Sequence, residues 1–175
     1  RASEDGIRVR IGRWNIPGRP VAVLVDYKQF ITRQNDILKE YWEKFGVDSI
    51  TGGWNYKESA LFGYAAGRAI ESFYHFNLMP SDKVVAQFHD WQSGAGLLHI
   101  QSAGIPVATV FTAHSTALGR CLSGGGPSAV NLPDGYDGDD MARRFNVLAA
   151  YSLEKMSVRS ADVLTAASDA LAREC

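Results

Sequence analysis

The chain of 175 residues balances 18 Lys and Arg against 19 Asp and Glu, so its formal net charge is -1. That balance gives no electrostatic case for binding nucleic acid or an acidic membrane surface. No apolar stretch reaches membrane-spanning length, and two unclustered cysteines, Cys121 and Cys175, make neither a disulfide framework nor a zinc site. We therefore expect a single domain, residues 1–175, in a reducing cytoplasm.

The first quarter of the chain predicts two strands and a helix. Residues 7–16 alternate apolar and polar side chains, which is typical of a half-buried strand, and Pro17-Gly18 indicates a turn. Residues 21–25 read VAVLV and predict a buried strand of a parallel sheet. Apolar residues recur at helical spacing over residues 30–45, and Gly46 is placed to cap that helix.

A second helix is predicted over residues 58–76, after a loop over residues 51–55. Gly63 and Gly67 lie four residues apart on it, and that spacing favours close packing against a neighbouring element. His75 falls on the surface side of the same pattern.

The stretch that organises the chain begins with an apolar strand over residues 84–87 and continues into Phe88-His89-Asp90-Trp91. Residues 93–96 read SGAG and predict a tight turn, and a helix follows from Leu97. In an open α/β sheet, ligands bind just beyond the carboxyl ends of such strands. His89 and Asp90 are therefore candidate functional residues, although a histidine at a strand end is about as often a structural turn residue.

The same placement recurs downstream. Residues 105–112 predict a buried strand, and His114 comes directly after it, so that two histidines would meet at one edge of the sheet. Residues 123–140 are rich in Gly, Pro and Asp and predict a long loop. A long helix over residues 141–159 and a last strand over residues 161–166 complete the pattern, and Ser168 opens a final helix.

Repeated strand–helix–strand units predict an α/β fold, namely a Rossmann-like, mostly parallel sheet with helices on both faces. The sequence contains no P-loop, no GxGxxG after a strand, no GxSxG and no HExxH. We expect neither a metal nor a cofactor. The chain lacks an initiator Met and ends on ALAREC within a helical pattern, so we expect a piece of a longer protein.

Several ordered motifs resemble the amino-terminal domain of the animal and fungal type of glycogen synthase. FHDW and SGAG are similar to that family's HFHEW run, and VATVFTAHSTALGR is similar to its FTTHATLLGR. RFNVLAAYSLEKMSVRSADVLTAAS is similar to a helix and strand that end in ADVFTTVS, and SALFGY resembles a helix start that reads LFGF. The resemblance covers about residues 48–172.

The resemblance implies a retaining glycosyltransferase of the two-Rossmann-domain (GT-B) architecture. Such an enzyme moves glucose from UDP-glucose or ADP-glucose to the non-reducing end of an α-1,4-glucan. The residues that hold the diphosphate, and the arginines for glucose 6-phosphate control, lie in a carboxy-terminal domain that this chain does not include. The chain alone should therefore be inactive, and a homo-oligomer is an expected assembly.

The resemblance also implies roles for individual residues. His89 matches the histidine that lines the donor-sugar site, and we expect it to be catalytic. Five residues are expected to bind substrate, of which Glu58 lies near the position of a family Asp on the acceptor side: His114, Glu58, Asp90, Trp91 and Thr112.

Two alternatives stay open at this point. One is a non-catalytic α/β domain that binds a sugar, a nucleotide or a protein partner. The other is a different GT-B enzyme, such as a relative of sucrose or trehalose synthases, with another acceptor. A parent reading frame that continues into a second Rossmann-like domain with a basic diphosphate site would favour the enzyme.

Overall fold

The computed structural model describes residues 6–124 and 135–174. Five strands and seven α-helices are found in these residues, together with a 3-10 helix, Lys28–Arg33, that leads into α1. The strands are β1 (Arg8–Arg13), β2 (Val21–Asp26), β3 (Val85–His89), β4 (Ala108–Ala113) and β5 (Val163–Ala166). The helices are α1 (Gln34–Phe45), α2 (Trp54–Asn77), α3 (Asp90–Ala103), α4 (Ala117–Gly124), α5 (Gly138–Arg144), α6 (Leu148–Ser160) and α7 (Asp169–Glu174).

A parallel three-stranded sheet of order β3-β4-β5 forms the centre of the fold, which confirms the predicted α/β class. Asp162, just before β5, fixes that strand against β4, because its carboxylate accepts the backbone N–H of Thr109 at 2.7 Å and the Thr109 hydroxyl at 2.8 Å. The first of these bonds is the main reason why the pKa of Asp162 is lowered.

The predicted place of residues 21–25 in the parallel sheet was wrong. β2 pairs antiparallel with β1 in a separate two-stranded sheet, in which Arg8 lies opposite Asp26 and Arg13 opposite Val21. The short connection explains this, because a parallel pair needs a crossover of a dozen or more residues. The predicted turn at Pro17-Gly18 is present, and the N–H of Arg19 donates to the carbonyl of Ile16 at 2.9 Å.

Helices on both faces of the parallel sheet were predicted, but the helices within residues 6–124 and 135–174 cover one face. On that face Ala86, Phe88 and Phe111 are buried, and α3 packs directly on β3 and β4. The opposite face is open at Val85, which is 66% exposed, and at Val163, which is 50% exposed. The core of the chain is thus the layer between the sheet and helices α2, α3 and α6.

Helices α2 and α3 approach each other through glycines, as the spacing of Gly63 and Gly67 predicted. A Cβ atom on Gly67 would lie 2.8 Å from the carbonyl oxygen of Gly96, and one on Gly96 would lie 2.7 Å from that of Gly63. A side chain at either position would collide with backbone, so the close approach requires glycine. We call this contact the glycine seam.

Four helices differ in extent from prediction, and the first of them, predicted over residues 30–45, is a 3-10 helix at its start and becomes α-helical at Gln34. The SGAG segment is helical rather than a turn, and α3 begins at Asp90, because its small residues are needed where α3 meets α2 and α6. The helix predicted over residues 141–159 is two helices, broken at Asn146, which adopts a left-handed φ of 56° that asparagine tolerates well. α2 begins at Trp54, inside the predicted loop. Gly46 caps α1 as predicted, with φ of 70°.

The loop predicted over residues 123–140 lies partly outside the described residues, which resume at residue 135. Its described ends belong to helices: residues 123–124 to α4 and residues 138–140 to α5. Asp137 caps α5, because its carboxylate accepts the N–H groups of Asp139 and Asp140.

Candidate active site

Two histidines meet at the carboxyl edge of the parallel sheet. His89 is the last residue of β3 and lies opposite Thr112 of β4, and His114 is the first residue after β4. Both side chains are exposed. The predicted convergence of the two histidines at one edge is therefore confirmed; their roles toward a substrate stay predictions.

The two imidazole rings are joined end to end. Nδ1 of His89 and Nε2 of His114 lie 2.9 Å apart, and the ring centroids are 5.2 Å apart with a 31° angle between the planes. The centroids lie farther apart than the facing nitrogens, as they do when the rings point at each other rather than stack. Nε2 of His89 is left as the ring nitrogen that this contact does not use.

Asp90 connects the junction of β3 and α3, which carries His89, with the loop after β4, which carries His114. Its Oδ1 accepts the backbone N–H of His114 at 2.7 Å and that of Ser115 at 3.3 Å, and its Oδ2 accepts Nη2 of Arg120 at 3.2 Å. The Asp90 side chain is 15% exposed, so these bonds are largely shielded from water. Asp90 also adopts a left-handed φ of 55°, a conformation uncommon outside glycine, which turns the chain sharply from β3 into α3.

Thr112 anchors the floor of the site. Its hydroxyl accepts Nε2 of Gln87 at 2.8 Å and lies 2.8 Å from the hydroxyl of Thr165, so one polar row crosses β3, β4 and β5. Thr112 is 9% exposed. The row fixes the register of the strands directly beneath the histidine pair.

Trp91 packs against the core. Its ring lies 6.0 Å from that of Tyr56, with an 18° angle between them, and the side chain is half-buried. Burial raises the pKa of the Tyr56 hydroxyl to about 12, against an opposing effect of its hydrogen bond with Ser49. The structure thus gives Trp91 a packing contact that holds the start of α3 against α2.

Glu58 belongs to a different hydrogen-bonded contact from that of the histidine pair. It lies near the start of α2 and accepts a hydrogen bond from the hydroxyl of Tyr27, which follows β2. That bond is the main reason why the pKa of Tyr27 is raised. The contact ties the hairpin to α2 and does not bring Glu58 to the histidine pair.

The family model described as Glycogen synthase matches residues 1–175, the whole chain. The chain belongs to the glycogen synthase family. Its similar relatives include the "Glycogen [starch] synthase" of Caenorhabditis elegans, which is 30% identical over 97% of this chain and 25% of its own length. The liver "Glycogen [starch] synthase" of Mus musculus is 31% identical over 98% of the chain and 24% of its own length. Isoform 2 of Saccharomyces cerevisiae is 31% identical over 97% of the chain and 24% of its own length.

This glycogen synthase family chain thus spans about a quarter of the length of the curated relatives it matches. Its fold, with a parallel sheet and a helix layer, is consistent with the amino-terminal Rossmann-like half of a GT-B glycosyltransferase.

Sequence reasoning did not single out Arg120 in this family member. The residue lies in the first turns of α4, where Nη2 donates to Asp90 and Nε donates to the hydroxyl of Ser115. Its sequence context could have indicated it, because Arg120 is a single cation in the otherwise apolar start of a helix that follows a strand end. Its charge lies opposite that of Asp90, the first residue of α3.

Within residues 6–124 and 135–174 of this chain, no group of three or more His, Cys, Asp or Glu side chains is placed to hold a metal ion. No described helix combines the length and the apolar character needed to cross a membrane. A cavity of about 200 Å³ lies between β4, α4 and α6, on the helix-covered side of the sheet and not over the histidine pair, and its lining includes Phe111, Glu154 and Lys155.

Proposed function

We propose that the full-length protein carrying this chain is a retaining glucosyltransferase of the GT-B architecture. It would transfer glucose from UDP-glucose or ADP-glucose to the non-reducing end of an α-1,4-glucan. One observation carries the proposal: the glycogen synthase family match extends over the whole chain and includes the FHDW motif that contains His89. The described geometry supports it, because the two matched histidines face each other at the ligand-binding edge of a parallel sheet.

His89 is the residue that we propose to be catalytic. Its free ring nitrogen, Nε2, would donate a hydrogen bond to an oxygen of the donor glucose and hold the sugar in the orientation needed for transfer. The amino-terminal end of α3 begins at the next residue, and its free N–H groups favour the binding of anions and hydroxyls. Both groups lie at the carboxyl edge of the sheet, where we propose that the sugar binds.

The remaining groups needed for reaction would come from outside this chain. Departure of a nucleoside diphosphate requires cationic stabilisation, which we assign to a carboxy-terminal domain that residues 1–175 do not include. We propose that residues 1–175 form one Rossmann-like domain and are inactive alone, that no metal or cofactor takes part, and that the enzyme works in the cytoplasm. A homo-oligomer stays a proposal without a described contact.

Substrate contacts other than His89 are also proposals. His114, Asp90 and Thr112 lie together at the strand ends and would surround the donor side. Trp91 and Glu58 would contact the substrate away from the histidine pair, since Trp91 packs on Tyr56 and Glu58 bonds with Tyr27.

The test is His89→Ala in the full-length protein. We expect turnover to fall by an amount equivalent to on the order of 2–4 kcal/mol of transition-state stabilisation, as when one preorganised donor is removed. Affinity for the nucleotide should change less, because the other domain would hold it. Steady-state kinetics with each sugar nucleotide and a glucan primer measure both quantities.

His75→Ala is the matched control, since His75 is an exposed histidine on the last turn of α2. It should leave turnover and the melting temperature unchanged. A His89→Ala protein with normal turnover, or one that has simply lost its fold in a thermal melt, would remove His89 from the active site. A wild-type protein that transfers no glucose, or that lacks a second domain, would support the binding-domain alternative.

A further inference from the structure

In the hydrogen bond of the histidine pair, one ring must donate and the other must accept. A bond between Nδ1 of His89 and Nε2 of His114 requires a hydrogen on one of these nitrogens and a lone pair on the other. The nitrogen that takes the hydrogen decides what the far nitrogen of each neutral ring presents. If His114 donates, Nδ1 of His89 is the acceptor, and Nε2 of His89 then carries a hydrogen that it can donate outward.

The backbone of His114 is fixed by the residue next to its partner. Asp90 accepts the N–H groups of His114 and Ser115, and Arg120 holds the same carboxylate from α4. The loop after β4 is therefore held in place relative to the junction of β3 and α3. With the backbone of His114 held in this way, Nε2 of its ring faces Nδ1 of His89.

We propose that His114 is a positioning residue that acts through His89. Its imidazole would donate to Nδ1 of His89, fix the orientation of that ring and keep a hydrogen on Nε2 for the donor sugar. The inference rests on the proposed function, and it replaces a direct sugar contact for His114 with an indirect role. The same arrangement occurs around metal-bound histidines, where an outer partner of the ring sets its tautomer and is worth about 10- to 100-fold in activity.

The arrangement also implies a dependence on pH. When both rings are protonated, neither facing nitrogen has a lone pair, and the bond is lost. The charged groups that face the pair are the carboxylate of Asp90 on α3 and the guanidinium of Arg120 on α4. Both groups are the same in all His114 variants, so differences among these variants report on the His114 ring alone.

The experiment compares His114→Gln with His114→Met in the full-length protein. The two side chains have similar length, but only the Gln amide can bond to Nδ1 of His89, through its hydrogen when the ring is neutral or through its oxygen when the ring is protonated. We expect His114→Met to lower kcat about tenfold with little change in KM for the sugar nucleotide. His114→Gln should keep kcat within about threefold of wild type, by the same scale.

The pH profile provides a readout that a packing role would not move. The kcat of His114→Gln should persist to lower pH than that of wild type, because the amide keeps a bond to His89 in either protonation state. Equal kcat values for the Gln and Met variants, or identical acidic limbs for Gln and wild type, would overturn the inference.

A double-mutant cycle shows whether the effect passes through His89. Adding His114→Met to His89→Ala should cause no further loss of kcat, whereas an independent loss of about tenfold would overturn the inference. His114→Asn, whose amide ends short of His89, should reproduce the Met result and serves if the Met variant melts early. Failure of wild type to transfer glucose refutes the proposed function itself, whereas an active wild type with a normal His114→Met variant refutes only the role of His114.

Discussion

Helix α3 takes part in two regions of the molecule that are held together in opposite ways. Its amino-terminal end, with Asp90 and the histidine pair, is joined to the next loop by polar side chains at an exposed edge. Its middle meets α2 at the glycine seam, where the absence of side chains lets two backbones touch. The first region has chemical groups to offer a ligand, and the second holds that region in place against the core.

The difference predicts how each region responds to mutation. In the glycine seam, one added methyl group would collide with the backbone of the facing helix, and this should lower the free energy of unfolding. At the strand-end site, removal of one polar group leaves its partners near water, and the cost should fall mainly on activity.

The largest change in stability is expected from Gly67→Ala in the seam. Alanine normally stabilises a helix by about 1 kcal/mol relative to glycine. Here its Cβ would lie 2.8 Å from the carbonyl oxygen of Gly96 and 2.9 Å from the Cβ of His99. We expect the free energy of unfolding to fall by about 1–3 kcal/mol, as for other overpacked sites. Thermal or urea unfolding of the full-length protein measures it.

Gly12→Ala is the matched control, because no heavy atom lies within 4 Å of a Cβ built at that position in β1. It should change stability by no more than about 0.5 kcal/mol. If Gly67→Ala is as stable as Gly12→Ala, the seam is looser than described and the contrast between the regions disappears.

A smaller change in stability is expected from Asp90→Asn at the site. Asparagine tolerates the left-handed φ of 55° and can still accept the N–H of His114, but it loses the charge that holds Arg120. We expect a loss of about 1 kcal/mol in the free energy of unfolding. A clear fall in kcat should accompany it, because the loop that carries His114 is no longer held as firmly against the start of α3.

Asp140→Asn controls for the loss of an ion pair. Asp140 pairs with Arg143 at 2.9 Å, and both side chains are about 60% exposed, so its loss should be worth less than about 0.5 kcal/mol. An Asp90→Asn protein with unchanged kcat and unchanged melting temperature would show that the link between the loops is not needed.

The smallest effect concerns His99, which lies in the region of the seam. Burial lowers the pKa of His99, and it outweighs the hydrogen bond and charge of Glu71, which act to raise it. The unfolded chain therefore binds a proton more readily than the folded chain does. The stability contributed by neutral His99 is complete above the unfolded pKa, near 6.5, and is lost as pH falls from there toward the folded pKa.

We expect His99→Gln to flatten the dependence of the melting temperature on pH between about pH 7 and 5. His75→Gln makes the same change at an exposed position on α2 and controls for the loss of one histidine. Parallel pH curves for wild type and His99→Gln would mean that His99 takes up its proton as easily in the fold as in the unfolded chain.

Local sequence pattern was sufficient for the strands of the parallel sheet and for the position of the histidines. Short apolar runs bounded by turn residues identify β3, β4 and β5, and a residue that follows such a run must lie at the sheet edge. The same reasoning placed β2 in the wrong sheet, because the composition of VAVLV indicates a strand but does not specify its partner. It also read SGAG as a turn, since glycine and serine are turn formers unless a neighbouring helix needs small residues there.

The sequence by itself determined the α/β class and the position of the two histidines at the carboxyl edge of the parallel sheet, since these follow from the order and period of apolar residues. Its motifs also pointed to the glycogen synthase family, which the whole-chain match confirmed. Only the tertiary structure decided that the two imidazoles bond to each other and that Asp90 pairs with Arg120. It also decided that Trp91 packs on Tyr56 and that Glu58 bonds with Tyr27. These residues lie 25 or more positions apart in sequence, and the direction of their side chains depends on strand register and helix packing, which local sequence pattern does not specify.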